Sequence, residues 1–349
     1  MRILVIRFRQ MGDTILALAM LSALKRALPD AETDLVLNDR LAPLFEGHPS
    51  LRRIITFSAA ERSSFLRYAL KVRRVMRSGH YDALIDMRST PNTTLFALFG
   101  SRRMMRIGLK KAYTRWLYDY RVPRSHLGES MLDHNFRLIL PLLPPGSRDM
   151  EHRDFRLAIS ETEMNRFRAY MESEGIDFRR PVMLAGVTAK LAEKTWRQDS
   201  MAEVLRRFME RFPDCQIIFN YASGREETDA RRIWEMLGSD KRIFISLRAG
   251  SMRELACMAG LSTFYFGLEG GARHIVQAMG RPSYCIVAPG IRKSVWLPAT
   301  DSPLTRGVAV TDLATADKLA AMNRAEQYDL ITPDVVWDGL LRFCEQLKI

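Results

Sequence analysis

Short apolar runs rich in β-branched residues alternate with segments of helical period along this chain, and the alternation begins twice. The first series places strands at 3–8 (ILVIRF), 33–38, 51–57 and 82–87, with helices at 14–30 and 64–81. The second places strands at 181–187, 215–221, 242–247, 262–267 and 283–289, with helices near 200–212, 225–237, 251–259 and 272–279. Such alternation builds a parallel sheet covered by helices. Two series therefore predict an α/β chain with two doubly wound sheets in tandem, and 349 residues are too many for one ordinary core. Between the series, 140–155 is rich in Pro, Gly and charge and reads as a loop or connection. Ser160 and Glu163 have capping-box spacing for a helix at 160–175. A final helix is expected at 332–348, with Pro333 in its first turn. Ligands of such sheets sit at the carboxyl ends of the strands, and here a cleft between the domains is expected.

Charge narrows the class of partner. Lys and Arg total 53 against 40 Asp and Glu, a formal net charge of +13. Such a surface attracts polyanions. A nucleic-acid binder would need clustered basic residues interleaved with stacking aromatics. The basic residues are scattered here, so nucleic acid is not the expected partner. Cys215, Cys257, Cys285 and Cys344 form no C-x-x-C pair and read as reduced core thiols. The longest apolar stretch, TILALAMLSALKRAL, is broken by Lys25 and Arg26, short of the roughly 20 residues that span a bilayer. Membrane contact is therefore expected to be peripheral.

Four segments have residues suited to chemistry. In RFRQMGDTILALAM (7–20) a strand runs through Gly12 and Asp13 into a helix. Asp13 reads first as a helix N-cap, and a capping aspartate still presents a second carboxylate oxygen. In GVTAKLAEKTWRQDSM (186–201), Thr188, Lys190 and Lys194 follow a buried strand. A lysine there suits phosphate, although most lysines are solvated surface residues. YASGREETDARRI (221–233) has Glu226 and Glu227 in a first helical turn, for the helix dipole or for a ribose diol. FGLEGGARHIVQAMG (266–280) has Gly270 and Gly271 at the mouth of a helix, which suits an anion. Glu269 would repel that anion, and an isolated His274 is more often structural.

In this order, the segments resemble glycosyltransferase family 9, the bacterial lipopolysaccharide heptosyltransferases. ILVIRFRQMGDTILALAM resembles the family's strand–Gly-Asp–helix opening, and DALIDMRSTPNTTLFALFGSRRMMRIG its D-L-x-x…K-S-x-x…G-A-x-x-R-I-G segment. KTW (194–196) is similar to K-x-W. GSMRELACMAGLSTFYFG and LEGGARHIVQAMGRPSYCIVAPG resemble the two runs around the family's phosphate loop.

The resemblance implies a GT-B architecture of two Rossmann-like domains with a central cleft. It implies an acceptor domain at 1–158, a nucleotide-sugar domain at 159–330, and a helix at 331–349 packing back toward the first domain. The implied activity is an inverting, metal-independent transfer from a nucleotide-activated sugar, usually ADP-heptose, with no cofactor. Asp13 matches the general base, and Lys194 the residue on the diphosphate. Gly12, Thr188, Glu226 or Glu227, Glu269, Gly270, Gly271 and His274 match donor-binding positions. Arg9, Arg88 and Arg121 are candidates for the anionic, lipid-linked glycan acceptor, and anionic lipids of the inner leaflet are a further expected partner. The expected location is the cytoplasmic face of the inner membrane. Three residues depart from the pattern: Leu268 stands for Asn, Glu269 for Asp, and Gly270 for Ser or Thr. Those departures leave a UDP- or GDP-linked hexose open as the donor. A scaffold without catalysis is the remaining alternative, and Asp13 and Lys194 speak against it. The helix at 64–81 reads as an ordinary amphipathic helix packed on a sheet.

Overall fold

Each series of strands folds into its own parallel sheet in the computed structural model, which describes residues 1–123, 128–297 and 305–349. In the unit Met1–Ala158 the strands are β1 (Arg2–Ile6), β2 (Glu32–Asn38), β3 (Arg53–Phe57), β4 (Ala83–Asp86), β5 (Met105–Leu109) and β6 (Tyr120–Val122). Their order is β3-β2-β1-β4-β5-β6. In the unit Ile159–Ile349 they are β7 (Val182–Gly186), β8 (Gln216–Phe219), β9 (Ile243–Phe244), β10 (Phe264–Leu268), β11 (Ser283–Ile286) and β12 (Thr305–Val308). Here the order is β12-β11-β10-β7-β8-β9. Both sheets start in the middle and wind first one way and then the other. Each therefore has a switch point, between β1 and β4 and between β7 and β10, where connections leave in opposite directions and a crevice opens.

The central strands are apolar throughout because helices cover both of their faces. In β7 every residue is buried, and in β1 all but the first. The sequence does not announce β5, β6 and β12. MRIGL, YRV and TRGV are short and interrupted by Arg or Gly, and they become strands by pairing with a neighbour already in place.

Several helices differ from expectation in informative ways. The segment 14–30 is two helices, Met11–Ile15 and Ala17–Ala27. Asp13 therefore lies inside the first turn and is not its cap; Gln10 holds the N-cap position and makes no side-chain capping bond. Helix Phe65–Gly79 ends at a left-handed His80. Gly79 serves packing instead, since a Cβ there would lie 2.0 Å from the Tyr81 ring. Helix Glu161–Ser173 has the expected capping box. Helix Pro333–Leu347 places Val336, Leu340, Phe343 and Cys344 in the core of the second unit, in one cluster with Phe208 and Phe264. All four cysteines are buried and free.

Candidate functional site

Of the site residues foreseen in the first unit, Arg9, Asp13 and Arg88 gather at its switch point. Arg7, the residue after β1, is 4% exposed and aims its guanidinium at Asp13. Arg7 Nη2 donates to Asp13 Oδ1 at 3.2 Å, and Nε and Nη2 donate to the Asp13 carbonyl at 3.3 and 3.1 Å. Arg9 Nε stands 3.5 Å from the same Oδ1. Oδ2 accepts no hydrogen bond among the described residues. One carboxylate oxygen is thus held by two arginines and the other is not.

Arg88 joins this group from the end of β4. Burial lowers the Arg7 guanidinium to about 10, Asp13 opposes the change, and the positive charges of Arg9 and Arg88 add to it. Arg88 is lowered too, by burial and then by Arg9, with Asp13 and Asp86 opposing. The turn presenting Arg88 is built on Asp86. Its Oδ1 accepts the backbone N–H of Arg88 and Ser89 at 2.9 and 2.7 Å, and its Oδ2 accepts the Tyr118 hydroxyl at 2.6 Å. Burial pushes the Asp86 carboxyl up, and these donors pull it back. Ser89 is held in the left-handed region at φ 46°, its carbonyl accepting Lys111 Nζ and the Tyr113 hydroxyl. Such conformations persist only where surrounding contacts impose them. Arg121 lies apart, exposed on the edge strand β6, two strands beyond β4.

The second unit repeats the arrangement. Thr188 follows β7 and its hydroxyl donates to Glu226 Oε2 at 3.2 Å. Glu227 pairs instead with Arg231 at 3.1 Å and Arg248 at 3.4 Å. The two glutamates therefore differ: Glu226 joins the β7 loop, and Glu227 is held by arginines. Lys194 ends the short turn Ala192–Lys194 and is half-buried. The neighbouring Trp196 anchors this loop, its indole N–H donating to the Ile331 carbonyl at 3.0 Å.

Glu269 and Gly270 follow β10, and helix Gly271–Ala278 begins there. The Glu269 side chain is 9% exposed, with Oε1 3.6 Å from His274 Nε2 and 3.9 Å from Arg273 Nη2. It pairs with these side chains rather than with backbone N–H groups. Burial alone would raise its carboxyl, but the contact with His274 and the charges of Arg273, His274 and Lys194 outweigh that and hold it low. The acid that looked awkward beside an anion is thus neutralised within its own loop. Gly270 is extended at φ 176°, and a Cβ there would meet nothing within 4 Å. Backbone geometry does not require glycine at this position.

Arg273 is absent from the expectations drawn from sequence. It is fully buried, donates to the Trp296 carbonyl at 2.7 Å and to Gln277 Oε1 at 2.5 Å, and its Nε has no hydrogen-bond partner among the described residues. Its one sequence signal is a charged residue among the buried residues of an otherwise apolar helix face.

Arg88 and the positions of the second unit fall within the reach of a known family, whereas Arg7, Arg9 and Asp13 precede it. The sequence model of glycosyltransferase family 9 (heptosyltransferase) matches residues 69–293. The chain belongs to glycosyltransferase family 9. It is a glycosyltransferase with the GT-B type of fold, two Rossmann-like units each carrying one six-stranded sheet. This glycosyltransferase is 21% identical to lipopolysaccharide heptosyltransferase 3 of Escherichia coli K12, over 78% of each chain. Among solved structures it resembles the family 9 glycosyltransferase of Veillonella parvula, with a TM-score of 0.81 at 15% identity, covering 99% of this chain and 97% of that one. It also resembles an E. coli heptosyltransferase solved with ADP-2-deoxy-2-fluoro heptose, with a TM-score of 0.70 at 16% identity over 99% of each chain. No helix among the described residues of the glycosyltransferase is long and apolar enough to cross a membrane.

Proposed function

We propose that this glycosyltransferase moves heptose from ADP-heptose onto an anionic, lipid-linked acceptor of the lipopolysaccharide inner core, at the cytoplasmic face of the inner membrane. The observation carrying the reading is the Asp13 carboxylate at the first switch point, with Oδ1 held by Arg7 and Arg9 and Oδ2 free. Oδ2 takes the proton of the acceptor hydroxyl as that oxygen attacks the anomeric carbon from the face opposite the nucleotide. The anomeric configuration inverts in this single displacement. Arg9 and Arg88 hold acidic groups of the acceptor, since arginine matches phosphate and carboxylate in two-point contacts.

The donor lies at the second switch point. Glu226, linked to Thr188, accepts from the ribose diol, and Glu227 is occupied by its arginines. Lys194 and the N–H groups at the start of helix Gly271–Ala278 stabilise charge on the departing diphosphate without a metal. His274 and Arg273 neutralise Glu269 beside it. The names of the E. coli relatives, one an enzyme of lipopolysaccharide and one holding an ADP-heptose analogue, support donor and acceptor class.

The test uses purified protein, ADP-heptose, and lipopolysaccharide from a strain lacking this gene, with mass spectrometry of the product. Added mass of one heptose is expected, undiminished by chelator. Thermal-shift titration with ADP, UDP and GDP checks the donor: strong stabilisation by UDP without ADP overturns the heptose assignment in favour of a hexose donor.

A further inference from the structure

Helix Phe65–Gly79 turns one face inward and leaves the other exposed among the described residues. Tyr68, Val72, Val75 and Met76 enter the core with Phe57 and Phe96. Leu66, Leu70, Arg73 and Arg77 follow at spacings of four, three and four, one continuous outer stripe. Phe65, Leu66 and Leu70 are 70%, 67% and 53% exposed, although the helix has already buried an apolar face. Arg73, Arg74 and Arg77 line a shallow depression with Leu70 and Ser78. The helix contains five basic residues and no acidic one, and these three arginines form no ion pair among the described residues.

We propose that this outer face docks the first unit on an anionic phospholipid bilayer, with Phe65, Leu66 and Leu70 entering among the headgroups and the arginines binding lipid phosphates. Apolar and basic groups side by side fit a charged bilayer surface. A free polyanion gives exposed Phe and Leu nothing to contact, and a second copy of the same arginines would repel. Further exposed apolar side chains flank the same core cluster. Helix Thr94–Phe99 packs against this one and exposes Leu98 and Phe99. Trp116, 74% exposed, sits beside Leu117 and Tyr118 of the same core, and tryptophan favours bilayer interfaces. Charge agrees at the level of the unit: residues 1–158 hold 27 Lys and Arg against 15 Asp and Glu, whereas 159–349 hold 26 against 25.

The inference deepens the membrane-peripheral location proposed above. Flotation of the full chain is measured without acceptor, using vesicles of phosphatidylcholine alone or with about 30% phosphatidylglycerol. Binding to the anionic vesicles only, weakened by salt, is expected. The triple variant Phe65→Ser/Leu66→Ser/Leu70→Ser and the double variant Arg73→Ala/Arg77→Ala should each lower partition about tenfold or more, with unchanged thermal unfolding. Both should still glycosylate soluble oligosaccharide released from the acceptor lipopolysaccharide. Equal binding to neutral vesicles, no binding, or either variant floating like the native chain overturns the proposal. Transfer without vesicle binding defeats this inference alone; vesicle binding without transfer from any donor defeats only the proposed function.

Discussion

Asp13 has a divided role in its geometry. Its held oxygen fixes the side chain, and its free oxygen is the one a general base needs. Asp13→Ala should lower turnover by about 100-fold or more while nucleotide affinity stays within about twofold, as read from kcat and nucleotide titration. Unchanged turnover would remove Asp13 from the mechanism. Gly270 makes an opposite kind of prediction. Its extended backbone and the open space at its Cβ position allow a side chain, and its helix lacks a side-chain cap. Gly270→Ser should leave the melting temperature equal or slightly raised. It should also tighten nucleotide binding by about 2- to 10-fold, the worth of one neutral hydrogen bond of about 0.5–1.5 kcal/mol. Glu269 is held below its ordinary range in the folded chain. A carboxyl depressed by folding stabilises above its unfolded value, and that stability fades as pH falls through the folded one. Glu269→Gln should therefore cost about 1–3 kcal/mol at neutral pH. The gap between the two proteins should close on acidification below about pH 4, as followed by chemical denaturation.

Contacts between elements decide whether these residues meet. β7 and β10 approach so closely that a Cβ on Gly267, at φ +148°, would lie 2.3 Å from the Gly186 carbonyl oxygen. Thr188 and Glu269 depend on that approach, because they follow these two strands. Gly267→Ala has a backbone obstacle and an unfavourable φ. It should lower the melting temperature sharply and weaken nucleotide binding as well. A second link joins helix Glu161–Ser173 to helix Met252–Leu261, where Arg253 Nη2 donates to Glu163 Oε2 at 2.6 Å. Arg253 and then Ser160 hold the Glu163 carboxyl at about 2. This contribution is present above the unfolded value and disappears as pH falls toward 2. A Glu163→Gln variant should accordingly show a flatter dependence of melting temperature on pH below about 4.5.

Charge is distributed over the whole molecule in a way that matches two ligands of different kinds. Nearly all of the surplus is in residues 1–158. An anionic acceptor recognised there is attracted at long range, and salt screens that attraction within about 10 Å at 0.1 M. Raising salt from about 0.05 to 0.5 M should therefore raise the acceptor KM several-fold. On the proposed function, nucleotide affinity depends on the nearly neutral second unit and should change much less. Equal salt sensitivity of both would contradict this division.

Local pattern was enough for much of this. The double run of apolar strands requires two parallel sheets, because strands without polar alternation must be covered on both faces. The motif order placed Asp13, Lys194, Thr188 and the Gly270–Gly271 turn, since each follows a strand that the sequence marks clearly. Short pieces were not legible: β5, β6 and β12 have little preference of their own and exist because a neighbour offers hydrogen bonds. Partners distant in sequence were also hidden. Only the folded chain shows that Tyr118 satisfies Asp86, that Thr188 selects Glu226 over Glu227, and that Arg273 is buried beside Glu269. The outer face of helix Phe65–Gly79 belongs with these. Its amphipathic period reads as ordinary packing, and exposure of Phe65, Leu66 and Leu70 follows from which side the sheet covers. Sequence thus determined the sheets and the chemistry offered at their strand ends, which depend on neighbours along the chain. Tertiary structure decided which charges are paired, buried or left facing outward, because that depends on neighbours in space.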